Sequence, residues 1–134
     1  MAKVAAAEIR DLGFIPEMFR LKTTNELDTY IAGIIDEQAA LLEGRIGPAL
    51  YAQATEPAAS LIKRAEKCLA AGELLSRRIK FRLADVQSAG EGFSVEAERR
   101  EKEDYRAEAE TIITDRLTSG DFASGVVETT VEGG

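Results

Sequence analysis

Apolar positions recur along most of this chain at helical rather than strand spacing, and they divide it into successive segments. Val4 to Leu12 reads as a short helix stopped by Gly13, followed by an apolar turn at Phe14, Ile15 and Pro16. Thr23 and Glu26 have the spacing of a capping box, in which hydroxyl and carboxylate each satisfy an amide at a helix start. After it, Leu27, Tyr30, Ile31, Ile34, Ile35, Gln38, Leu41 and Leu42 keep a 3.6-residue period up to Gly44. A weaker segment between Arg45 and Glu56 is interrupted by Gly47 and Pro48, with Ile46, Leu50 and Tyr51 as its apolar anchors.

The sharpest pattern runs from Pro57 to Val86. Leu61, Ala65, Cys68, Gly72, Leu75, Ile79, Leu83 and Val86 fall on one arc of a helical cylinder, with Ile62 and Leu69 at its margin. The opposite arc holds Lys63, Arg64, Lys67, Arg77, Arg78 and Arg82, with Leu74 set among them. Thr55 or Glu56 opens this helix, with Pro57 in its first turn, and it ends before Gly90. Ser94 then caps a last helix from Val95 to Leu117. That helix is almost wholly charged from Glu96 to Asp104 and regains an apolar stripe at Tyr105, Ala109, Ile112, Ile113 and Leu117, so only its second half is expected to rest on a core. Beyond Ser119, the run from Val126 to Val131 is β-prone and has no partner strand in its own chain. The fold expected is all-α: four to five helices around one long central helix in residues 1–119, with an extended C-terminal arm in 120–134.

Composition fits one globular unit. The chain has 134 residues, 45% of them apolar and 31% charged, enough of both for a buried core and a solvated surface. The longest uncharged run, Ile46 to Thr55, is too short to cross a bilayer, and Glu8, Arg10 and Asp11 break any signal-peptide pattern at the start. The net charge of −7 is unevenly spread: −4 over residues 1–60, +5 over 61–83 and −8 over 84–134. An acidic chain is poorly suited to gripping nucleic acid as its main task, and the basic arc lacks the aromatic residues on which single strands stack. Three readings of the basic arc stay open: a solvated face, an electrostatic contact between subunits, or the lining of a channel for nucleic acid.

Candidate chemistry is sparse. There is no histidine, and the single cysteine, Cys68, lies on the apolar arc, where a structural thiol is expected rather than a nucleophile. Glu96, Glu98, Glu101, Glu103, Asp104, Glu108 and Glu110 are interleaved with Arg99, Arg100, Lys102 and Arg106 at i,i+3 and i,i+4 spacing, the pattern of a self-paired solvated face rather than a metal site. Gly90 and Gly92 make a lone GxG with no strand before it, which is weak support for a phosphate loop. No enzyme activity, metal or cofactor is expected.

The stretch Leu61-Ile-Lys-Arg-Ala-Glu-Lys-Cys-Leu-Ala-Ala-Gly-Glu-Leu-Leu-Ser-Arg-Arg-Ile79 resembles the long helix of the head-tail connector (adaptor, or head-completion) proteins of long-tailed bacteriophages. The order of elements is similar too: shorter helices, the long helix, a loop, a further helix and an arm. The resemblance implies a structural virion protein, assembled in the host cytoplasm, that forms a ring of about twelve copies on the portal protein. Such a ring extends the DNA channel, with DNA only as non-specific cargo, and offers a surface to the next neck or tail protein. It makes Lys63, Arg64, Lys67, Arg77, Arg78 and Arg82 interface or channel candidates. It also casts Val126, Val127 and Val131 in an arm that adds to a neighbour. The alternative is a cytoplasmic helical regulatory or adaptor module that binds one protein partner.

Overall fold

The computed structural model describes residues 2–89 and 95–118, and every regular element among them is helical. Helix α1 spans Ala6–Arg10, α2 Thr24–Ile46, α3 Pro48–Tyr51, α4 Ala58–Ala89 and α5 Glu96–Thr111. A 3-10 turn at Pro16–Phe19 follows α1, and a π turn at Ile112–Leu117 continues α5. The all-α expectation holds, with α4 as the spine. The β-prone run at 126–131, Ser94 and the Gly90/Gly92 pair lie outside the described residues.

Local chemistry sets the ends of these helices. Thr23 Oγ1 accepts from the Glu26 amide at 3.1 Å while the Glu26 carboxylate accepts from the Thr23 amide at 3.1 Å, so the predicted capping box is formed. Gly44 does not stop α2 as expected. The helix runs to Ile46 and ends at Gly47, whose φ of +92° lies in the region that favours glycine. Gly13, at φ +116°, breaks the chain after α1. Helix α4 starts at Ala58, just after a cis Glu56–Pro57 bond rather than with Pro57 in its first turn, and closes at Ala89 as its pattern predicts.

The core is two-lobed along α4. One lobe gathers Ile9, Phe14, Phe19, Leu27, Ile31, Ile34 and Ile35 against Ala70, Leu74 and Leu75. The other packs Leu42, Leu50, Tyr51 and the π-turn residues Ile112, Ile113 and Leu117 on Ala58, Ile62 and Ala65. This corrects the arc drawn from periodicity. Ile62, placed at its margin, and Leu74, placed among the basic residues, are both fully buried, whereas Leu83 is exposed. An arc computed for one buried face fails here because α4 is covered on two sides, by α2 and by α5. Leu41, assigned to the apolar stripe of α2, is 60% exposed and belongs to neither lobe.

Candidate functional site: the charged seam and its neighbouring hollow

Helix α5 returns antiparallel along α4, and the charged halves of the two helices meet instead of projecting apart. Arg64 Nη2 donates to Glu108 Oε1 at 3.0 Å, with Nε on the second oxygen in a two-point clasp. Farther along α4, Arg82 and Arg78 both face Glu98, Arg82 as a direct hydrogen-bond donor and Arg78 at 3.8 Å. Glu98 is only 8% exposed, so this carboxylate is spent within the subunit. Arg45, in the last turn of α2, clasps Glu110 through two nitrogens, one at 3.1 Å. Between these anchors, Gly72 lets the helices close up: a Cβ there would sit 3.2 Å from Arg106 Cγ and 3.8 Å from the Lys102 carbonyl oxygen. The acidic first half of α5 is held to α4 through the buried Glu98 and is otherwise mostly exposed, with Lys102–Glu103 paired along the helix. The second half carries the clasps at Glu108 and Glu110 and the buried Ala109 and leads into the core residues Ile112, Ile113 and Leu117, as its pattern predicts.

Two of the remaining basic candidates, Arg77 and Lys63, have partners of their own. Arg77 reaches Glu73 at 3.0 Å, one turn back, and Glu37 of α2 at 3.3 Å, with its guanidinium 5.7 Å from the Tyr30 ring centroid. Lys63 pairs with Glu8 of α1 at 2.9 Å. Lys63, Arg64 and Lys67, with Glu8 and Ser60, line one open depression of about 200 Å³. Arg78 and Arg82 line another of about 240 Å³ together with Ile15, Met18, Arg20 and Phe81, and with Glu17 at its rim. Five of the six basic candidates thus line two separate surface hollows, three of them also pairing with α5, while Arg77 faces α2, so they do not make one continuous strip. Val126, Val127 and Val131 lie outside the described residues.

These pairings shift protons in the expected directions. Arg64 beside Glu108 and Arg45 beside Glu110 hold those carboxyls below the usual carboxylate range. Glu8 is lowered by the Ala5 amide first and by Lys63 second. Burial pushes the Cys68 thiol up to about 11, which leaves it protonated and unreactive near neutral pH. Among the described residues no cluster of three or more potential metal ligands occurs. No described helix is long and apolar enough to cross a membrane.

Sequence reasoning missed one buried polar centre. Glu66 is fully buried on α4, where its carboxylate accepts from the backbone amides of Lys3 at 2.7 Å and Val4 at 2.8 Å and from the Tyr51 hydroxyl at 2.5 Å. Burial, with the Glu66 carboxylate second, raises the Tyr51 hydroxyl well above its ordinary range, so it stays a donor. The available signal was a lone carboxylate among Ala65, Leu69 and Ala70 in the helix pattern. No protein family, curated protein or solved structure matches the chain.

Proposed function

We propose that this chain is a structural subunit of a phage neck, a head-tail connector that assembles as a ring on the portal and keeps the DNA channel continuous. The observation that carries the reading is the place of the resembling stretch Leu61–Ile79: it lies on the spine α4 of an all-helical domain, after shorter helices and before one further helix. Assembly then depends on surfaces that the fold leaves over, because Arg64, Arg77, Arg78 and Arg82 each face a carboxylate of their own subunit. Lys67, at the rim of the smaller hollow, is the basic candidate best placed to meet a neighbour or the channel, since Lys63 beside it pairs with Glu8. DNA would pass as a polyanion held by non-specific charge, not read by sequence.

Native mass spectrometry of the full chain with the portal ring of the same genome tests this reading. The expected result is many copies added to each portal ring. A portal ring that gains none overturns the connector and leaves the single-partner adaptor as the better account.

A further inference from the structure

The two-turn step of the α4–α5 pair shows which charges the fold leaves over. On one side of the seam Glu73 of α4 meets Arg106 of α5 at 3.9 Å. Seven residues, about two turns, farther along each antiparallel helix, the same side holds Lys80 and Arg99, so a carboxylate beside a guanidinium gives way to two cations. On the other side Arg64 clasps Glu108. The same step there leads to Ala71, which is buried and uncharged, and to Glu101. Asp104, one turn before Glu108, shares that side. Lys80, Arg99, Glu101 and Asp104 are all exposed, and none makes a side-chain hydrogen bond or an ion pair. The first half of α5 therefore carries unpaired positive charge on one flank, continued by Lys80 of α4, and unpaired negative charge about half a turn round the cylinder. Arg100 lies outward between the flanks, and Leu83, 39% exposed and next to Lys80 on the helix surface, adds an apolar point to the cationic one.

We propose that these flanks are the two halves of one contact between successive copies of the chain: the Lys80/Arg99 side of one copy receives the Glu101/Asp104 side of the next. Within a subunit the two flanks point away from each other and cannot meet. Between subunits standing side by side they match in sign, and each copy offers one of each. Because the two surfaces differ, the contact is heterologous, repeats from copy to copy and closes into a ring when the rotation allows. Exposed charges of this kind choose the neighbour and its register more than they supply affinity, so reversing them should change which copies associate. The inference rests on the connector reading for its closed ring, and its test separates the two.

Two variants of the full chain provide that test: Lys80→Glu with Arg99→Glu, which makes both flanks acidic, and Glu101→Lys with Asp104→Lys, which makes both basic. All four positions lie outside the two core lobes and the ion pairs of the seam, and the single changes Arg99→Glu and Asp104→Lys form a milder second pair. Self-association is read by sedimentation velocity and native mass spectrometry, alone and with the portal ring. Each variant should associate at least about tenfold more weakly than the unaltered chain. An equimolar mixture of the two should regain the lost association with equal numbers of both, since every acidic flank then meets a basic one. A variant that associates like the unaltered chain, a mixture no stronger than its components, or an unaltered chain that stays monomeric in both settings overturns the proposal. Association restored by mixing but without portal binding keeps the contact and sinks the connector. Portal rings that take up each variant as fully as the unaltered chain do the reverse.

Discussion

The two sides of α4 are buried by different physics. Toward α2, Leu74 and Leu75 with Ala70 meet Ile31, Ile34 and Ile35, an interface with an apolar centre that depends on removing hydrocarbon from water, with Arg77–Glu37 at its edge. Toward α5 the contact is made of small residues and charge: Gly72 for close approach, and Arg64–Glu108 and Arg78/Arg82–Glu98 on either side of it. The first kind of interface is strong and tolerant of which neighbour fills it. The second is weaker per contact and selective, because each guanidinium needs its own carboxylate at one register. The α2–α4 pair is therefore expected to carry most of the stability, and the α5 seam to set where α5 lies.

Removing side chains on each side tests that division. Leu74→Ala, which opens a cavity in the α2–α4 lobe, should lose about 2–5 kcal/mol by chemical denaturation. A loss below about 1 kcal/mol would erase the contrast. Glu98→Ala strips Arg78 and Arg82 of their shared carboxylate and should lose about 1.5–3 kcal/mol, with hydrogen exchange accelerated in α5 more than in α2. Equal acceleration in both helices would mean that the seam is not a separate element.

Half of this picture was legible from the sequence. Periodicity located α2 and α4, and Thr23 with Glu26 marked the start of α2, because capping chemistry and a buried stripe are both local signals. The second buried side of α4 was not legible. A charged surface and a charged interface have the same composition and the same i,i+4 spacing, and only the position of α5 decides between them. Leu74, an apolar residue set among arginines, was the trace that the basic arc also touches protein, and what it touches is α2. The Glu66 centre was hidden for another reason: its partners at Lys3 and Val4 are backbone amides, which every residue but proline supplies and which leave no mark in a sequence.

Smaller effects sharpen the comparison further. A double-mutant cycle on Arg64→Ala and Glu108→Ala should return a coupling of less than about 1 kcal/mol, since both side chains are more than a third exposed. The same pairs set a pH dependence. Glu108, Glu110 and Glu8 have folded-state affinities for protons below the ordinary value of 4.5, so their contribution is complete above that pH and is lost as pH falls through the lowered values. Thermal unfolding between pH 6 and pH 3 should therefore show α5 loosening on the acid side. Stability that rises on acidification would contradict the assigned pairings. Smallest of all, Cys68 should resist alkylation at pH 7.5 in the folded chain and react on unfolding, as its burial and raised thiol require.

Anchoring the first residues through Glu66 has an unusual consequence for mutational tolerance. The leading strap is gripped by its peptide groups, so exchanging Lys3 gives up only the place of its ammonium 4.6 Å over the Tyr51 ring, whereas proline there would remove one of the two amides that hold the strap. The other end of the grip has no such freedom: aspartate at 66 is one methylene too short, and glutamine would turn a donor toward amides that already donate. A saturation library across this region should read as noise at position 3 and as a single permitted letter sixty-three places later.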